Sequence, residues 1–319
     1  MSNVVLITGI GGDISQGVAT ILRECRPDLR LIGVDVHAQH GGHKFVDCFA
    51  IVPNAGAECY LQSIKSIITK HSVDMIIPMS EPELAALRPV PEMAPGLVWI
   101  TAGEQVVSVG LDKLATIETL ARFDLPVPWT LSVRDGRPHS FPCILKNRFG
   151  SGSRAVFIVA NNEDADYLMQ RYPDAIFQEM LEPADREVTC AVYRSRDGQI
   201  SSLLMLRRLV GGFTGWAKVI EDHEASRMCG RIAEGLDLRG SMNVQLRLTN
   251  KGPRVFEINP RFSSTVLMRH RVGYTDVLWA IAEAEGKAVC LPKNLPVNQI
   301  MVRVQEALVF YDETMGAIE

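Results

Sequence analysis

The opening of the chain constrains its architecture most. Val4 to Thr8 is a short apolar run, Gly9 to Gly17 a glycine-rich turn, Val18 to Cys25 a helical stretch and Leu31 to Val36 a second apolar run. A strand that leaves through a turn into a helix and returns as a strand pairs parallel with the first, because the crossover carries the chain back to the same end of the sheet. A helical stretch from Glu58 to Lys70 follows, then buried-strand runs at Val73 to Pro78 and Leu97 to Ile100. The first part of the chain therefore reads as a small α/β, doubly wound domain.

The pattern changes after that. Gly103 to Thr116 is polar and helix-initiating, and Leu125-Pro-Val-Pro128 breaks the chain with two prolines, so the boundary is placed near residue 105. From Phe141 onward strand-like runs dominate: Cys143 to Asn147, Ala155 to Ala160, Ala175 to Gln178, Val188 to Tyr193, Ser201 to Arg207, Met242 to Leu248 and Arg254 to Ile258. This half reads as α+β with much antiparallel sheet. A chain of 319 residues exceeds what one compact core usually holds, so lobes with a cleft between them are expected.

Composition narrows the function classes. Apolar residues make up 47% and charged ones 22%, as in ordinary globular enzymes. A net charge of −4 leaves no basic footprint for a nucleic-acid partner. Seven cysteines without a C-x-x-C pair argue against a disulfide framework or a zinc cluster, which makes the cytoplasm the default compartment. No signal peptide is expected at the N-terminus, and no run reaches the roughly 18 apolar residues of a membrane span. His37, His40 and His43 crowd one loop, read as solvated because no carboxylate or thiol nearby completes a ligand set.

Three segments could carry chemistry. The turn Thr8-Gly-Ile-Gly-Gly-Asp-Ile-Ser-Gln-Gly17 lies where backbone amides could hold a phosphate, and Asp35 sits where a ribose-binding acid would be. Its spacing is imperfect, since a dinucleotide fingerprint starting at Gly9 needs glycine where Ile14 stands; a tight turn for strand-to-helix packing explains it equally well. In Pro142-Cys-Ile-Leu-Lys146-Asn-Arg-Phe-Gly150-Ser-Gly152-Ser-Arg154, a lysine ends an apolar strand and a Gly/Ser loop follows, which suits phosphate neutralisation under a closing loop. It is not a Walker A loop, because no G-K-[ST] follows the glycines.

The most informative segment is Asn243-Val-Gln245-Leu-Arg-Leu followed by Arg254-Val-Phe-Glu257-Ile-Asn259-Pro-Arg261. Strand alternation puts Glu257 and Asn259 on one face, and an antiparallel hairpin brings Gln245 opposite them. Three oxygen donors on rigid strands suit Mg²⁺, which takes its other ligands from water and phosphates. Arg261, just beyond, can reach a transferred phosphoryl group. A surface hairpin with a polar outer face accounts for any one of these residues but not for the set.

These motifs, with Phe256-Glu-Ile-Asn-Pro-Arg261-Phe-Ser-Ser-Thr265, resemble the ATP-grasp core of the carbamoyl-phosphate-synthase large subunit and its small ligase relatives. The resemblance implies a pre-ATP-grasp domain over 1–105, a nucleotide-binding lid lobe at about 115–180 and a metal-binding lobe at about 181–319. By it, Lys113 and Lys146 contact ATP phosphates under a loop containing Gly150, Ser151, Gly152 and Ser153. Gln245, Glu257 and Asn259 bind Mg²⁺, or Mn²⁺ in its place, with Glu257 bridging two ions. Glu179, Met180 and Leu181 resemble the hinge strand that meets adenine through backbone groups, and Glu187 falls where the family holds the ribose. Arg207 and Arg208 resemble the basic segment facing the γ-phosphate and the acyl-phosphate, with a solvated strand edge as the lesser alternative for that pair. Dimerisation is a family-level expectation without a residue to carry it.

The chain holds one such unit, whereas the synthase large subunit holds two, so carbamoyl phosphate synthesis is not the expectation. A single-unit ligase joining a small-molecule carboxylate to an amine through an acyl-phosphate is. Two alternatives stand beside it: an NAD(P)-dependent oxidoreductase built on the N-terminal turn, and a non-catalytic ATP-binding protein.

Overall fold

The structure, a computed structural model, describes residues 3–88, 94–150, 156–305 and 307–309. Its first half is a five-stranded sheet built from β1 (Val4–Ile7), β2 (Arg30–Asp35), β3 (Cys48–Ile51), β4 (Met75–Ile77) and β5 (Val98–Trp99) in the order β3-β2-β1-β4-β5. Every neighbouring pair is parallel. Helices α1 (Asp13–Cys25), α2 (Tyr60–His71) and α3 (Glu81–Ala86) connect the strands. The order reverses between β1 and β4, the place where open α/β sheets form a crevice at their carboxyl ends.

α1 starts at Asp13 and not at Val18, because the turn needs only Gly9 to Gly12 before the helix begins. Glycine is required further along it for a different reason. A Cβ on Gly17 would stand 3.0 Å from Val266 Cγ1, so this residue lets α1 lie close against α8 (Val266–Arg271) of the second half.

The second half contains α4 (Glu104–Gly110) and α5 (Lys113–Arg122), and then two sheets. A four-stranded antiparallel sheet joins β6 (Thr130–Ser132), β7 (Cys143–Asn147), β8 (Val156–Val159) and β9 (Ala175–Glu179) in the order β6-β9-β7-β8, with α6 (Asn162–Arg171) between β8 and β9 in sequence. A six-stranded antiparallel sheet joins β10 (Glu187–Arg194), β11 (Ile200–Val210), β12 (Phe213–Ile220), β13 (Gly240–Thr249), β14 (Gly252–Asn259) and β15 (Ile300–Val302) in the order β14-β13-β10-β11-β12-β15. α7 (His223–Gly235) packs on β10, β11 and β14, and α9 (Asp276–Ala284) against β13.

Strands β3, β6, β12 and β15 and helices α3, α6, α7, α8 and α9 were not anticipated. β3 (Cys-Phe-Ala-Ile) and β15 (Ile-Met-Val) are edge strands of four and three residues whose side chains, Met301 apart, are half-buried or exposed; apolar runs that short do not separate a strand from a loop. The two halves share one apolar cluster, in which Ile7, Val18 and Leu22 pack with Tyr193, Met205, Val219 and Ile281. The parallel domain is thus seated directly on one face of the six-stranded sheet.

The histidine loop departs from expectation. Asp35 does come up beside His37 and His40, with one possible ligand atom from each within 4.8 Å of the others. The hydrogen bonding works against a metal, however. His40 Nδ1 accepts from the amide of Gly42 at 3.0 Å, so in the neutral ring Nε2 carries the proton and has no lone pair to offer. Asp35 accepts from the amides of Gly11 (2.8 Å) and Val36 (2.7 Å). The loop closes the N-terminal turn on itself: a Cβ on Gly11 would meet His40 Cδ2 at 2.5 Å. The amide and the acid that a dinucleotide would use are engaged with each other.

Candidate active site

The hairpin forms in the expected register. β13 and β14 pair antiparallel with Gln245 opposite Glu257 and Asn243 opposite Asn259, and a bulge falls between Gln245 and Leu246. On the other side β10 sets Thr189 opposite Gln245 and Ala191 opposite Asn243. Asn243 is buried and accepts a 2.7 Å hydrogen bond from Thr189 Oγ1, which anchors the polar row in the sheet.

Lys146 reaches this row from the other sheet. It lies on β7, buried, and its Nζ donates to the carbonyl of Phe256 at 3.3 Å and sits 5.5 Å from the Phe256 ring centre. Lys113 is brought alongside by local stitching. Asp112 caps α5 through the amides of Leu114 and Ala115 and holds Arg148 with a bidentate pair at 2.8 and 2.6 Å. The Lys113 amide donates to the carbonyl of Arg148 (3.1 Å), and its Nζ donates to that of Gly150 (2.5 Å).

Arg207 on β11 closes the opposite wall. Its guanidinium pairs with Glu187 at 2.6 Å and donates to Gln245 Oε1 at 2.9 Å. Arg261 donates to Asn259 Oδ1 at 3.3 Å and lies 3.7 Å from Glu81 at the start of α3. The segment after it is held from beneath by Arg269, fully buried, which donates to Ser263 Oγ, Thr265 Oγ1 and both carboxylate oxygens of Asp276.

These groups enclose a cavity of about 540 Å³. Of the residues singled out in the sequence, Lys113, Lys146, Gly150, Arg207, Gln245, Glu257, Asn259 and Arg261 all line it. Arg208 does not: strand alternation turns it to the exposed face, where it stacks 5.8 Å from Trp216. Glu179, Met180, Leu181 and Glu187 also lie outside the lining. Glu187 is clamped between Arg207 and Arg247, and the Glu179 amide donates to the carbonyl of Trp129. Ser151, Gly152 and Ser153 fall outside the described residues. Sequence reasoning missed Ile14, Ser80 and Pro82, which the N-terminal domain contributes, together with Ser263 and Ser264, which stand in the Arg261-Phe-Ser-Ser stretch already quoted.

Residues 111–265 match the family described as ATP-grasp domain. These residues form an ATP-grasp domain. The carbamoyl phosphate synthase large chain of Sulfurisphaera tokodaii is 28% identical over 183 residues, which are 49% of this chain and 17% of that relative. The match therefore spans a small part of the relative's length. Among solved structures, N5-carboxyaminoimidazole synthetase from Staphylococcus aureus has a TM-score of 0.75 at 18% identity, covering 94% of this chain and 82% of its own. Biotin carboxylase from Campylobacter jejuni, solved with a nucleotide, has 0.72 at 16%, covering 93% and 73%. The parallel domain and the ATP-grasp domain thus recur together as one fold.

Electrostatics inside the ATP-grasp cavity follow from crowding. Burial pulls the Lys146 ammonium down to about 8, with Glu257 opposing the shift and Lys113 adding to it. Burial likewise raises Glu81 above the usual carboxylate range against the pull of Arg261 and Lys113. Burial lowers Arg261, and Glu81 and Glu257 oppose it. The cavity holds Lys113, Lys146, Arg207 and Arg261 with Glu257 as its lining carboxylate, an excess of cations that a polyanion would relieve.

The donors also fit a hard cation. A carboxylate and two amide oxygens stand on adjacent strands, and the amide oxygens of Gln245 and Asn259 accept from Arg207 and Arg261, the positive groups whose place a cation would take.

Proposed function

We propose that the chain is an ATP-dependent ligase that joins a carboxylate to an amine and releases ADP and phosphate. The observation that supports this most is the convergence of Gln245, Glu257 and Asn259 with Lys146 and Arg261 from separate elements into one cavity. The carbamoyl-phosphate-synthase likeness points the same way, as do the ligase relatives of the same fold.

In this reading Lys113 and Lys146 bind phosphate oxygens, while Gln245, Glu257 and Asn259 hold Mg²⁺. The ion supplies charge neutralisation on the phosphates when bound. A substrate carboxylate oxygen attacks the γ-phosphorus in line; the bond to the β–γ bridging oxygen breaks and ADP leaves with its electron pair. Arg207 and Arg261 offset charge on the transferred group, which suits fixed guanidiniums in a site shielded from water. The amine nitrogen then attacks the acyl carbon, phosphate departs, and the amine proton passes to solvent. In this reading the parallel domain, whose Ile14, Ser80 and Pro82 line the cavity, frames the second substrate.

The test is ADP release with Mg²⁺, ATP and a panel of amino acids, dipeptides and small carboxylates, run beside Glu257→Ala. Release that depends on a panel member and vanishes in the variant is expected. ATP binding with no release across the panel, in wild type, would count against ligation.

A further inference from the structure

A second cavity of about 570 Å³ lies on the far side of Arg261, which lines both. It opens at the carboxyl ends of β4 and β5, through Pro78, Thr101 and Trp99, and is closed by the β10–β11 turn, the α7–β13 connection and α9. Its volume suits a small molecule. Nothing in the ligase chemistry above uses it.

Its charges are arranged one way. Arg194, Arg196, Arg239 and Arg261 line it against two acids, Asp237 and Glu283, and both acids are engaged with protein donors. Glu283 accepts from Tyr193 Oη at 2.9 Å and from the Arg196 amide at 2.7 Å. Asp237 accepts from Arg194 at 2.7 Å through one oxygen and from Arg239 at 3.2 and 3.3 Å through the other. Donors remain: Arg194 Nε and Trp99 Nε1 are buried without a protein partner among the described residues.

Asp237 itself is informative. It follows the last turn of α7 with φ of +44°, its amide bonding to Glu234 O and the Leu238 amide to Ala233 O. This is the left-handed helix stop where glycine is favoured. An aspartate there accepts a less favourable backbone and in return holds Arg194 on one oxygen and Arg239 on the other; Arg194 also donates to the Leu238 carbonyl at 3.3 Å, and its Nε has no protein partner among the described residues.

We propose that this cavity binds a small organic anion, a carboxylate or a phosphate ester, through Arg194, Arg196 and Arg239, separately from the phosphate cavity. The site stands independently of the ligase reading. Arg261 on the wall between the cavities gives the anion a route to influence the phosphate side, either as the substrate whose carboxylate is activated or as an effector.

The experiment is a titration of the full chain with citrate and with glycerol 3-phosphate, followed by intrinsic tryptophan fluorescence, with ATP titrated separately. Saturable binding of at least one probe is expected, weakened roughly tenfold in Arg239→Ala and in Arg196→Ala with ATP affinity unchanged. Asp237→Gly is the control for folding, since glycine suits the backbone: thermal stability should hold while anion affinity drops. The proposal is overturned if neither probe binds saturably, if ATP displaces the probe competitively, or if Asp237→Gly and Arg239→Ala bind it as wild type does. Incorporation of the bound anion into product marks it as substrate; altered ADP release without incorporation marks it as effector.

Discussion

Two glycine-rich segments follow apolar strands in this chain and end in opposite states. The turn after β1 is filled by its own protein: Asp35 accepts from the Gly11 amide and the His40 ring packs where a Cβ on Gly11 would be. After β7, Gly150 lines a cavity together with Lys146 and Lys113. Glycine at the first turn reports close approach by protein, whereas a Cβ on Gly150 would meet no atom within 4 Å among the described residues and its φ of +85° is what favours glycine there. A cationic residue at the strand end is the distinguishing feature. The first turn has none, and the second has Lys146.

The contrast can be broken by substitution. Glu257→Ala should cost ADP release roughly a hundredfold or more, since it removes the lining carboxylate opposite Gln245; retention of turnover would break the assignment of the second segment's cavity. Chelation of divalent ions with excess EDTA should abolish release to a similar degree and be restored by Mg²⁺.

A smaller effect sharpens the role of Lys146. Its ammonium is lowered to about 8 by burial, so charge is lost as pH rises through that value and ATP affinity should fall above it. Lys146→Arg stays charged and should flatten the profile; equal pH dependence in both proteins would remove lysine from phosphate binding.

On the closed turn the expected outcomes concern stability. Gly11→Ala should destabilise by about 1–3 kcal/mol through the clash with His40, read by thermal melting, with ATP affinity kept. Asp35→Asn should cost about 1 kcal/mol or less, because an amide oxygen can still accept from Gly11. A loss of ATP binding in either variant would show that the two glycine segments are not separate in function.

Much of the fold was legible beforehand. The βαβ opening announced the parallel sheet, and the alternation of Glu257 with Asn259 announced the face that meets Gln245, since period-two placement is a property of the strand itself. Edge strands β3 and β15 were not legible, because apolar runs of four and three residues are too short to separate a strand from a loop. Arg207 and Arg208 looked equivalent in sequence, yet pairing in the sheet sends one to Glu187 and Gln245 and the other to Trp216.

Local chemistry, then, was set by the chain alone: which residues could bind phosphate or a hard cation, and on which side of a strand they stand. Convergence was not. That Ile14, Ser80 and Pro82 reach the same cavity as Lys146, that Asp35 is consumed by Gly11, and that Asp237 gathers Arg194 all depend on contacts between residues distant in sequence. The first of these is decided when the two halves bury a common apolar cluster, and the others by packing within each half, collective results that no short stretch of sequence encodes.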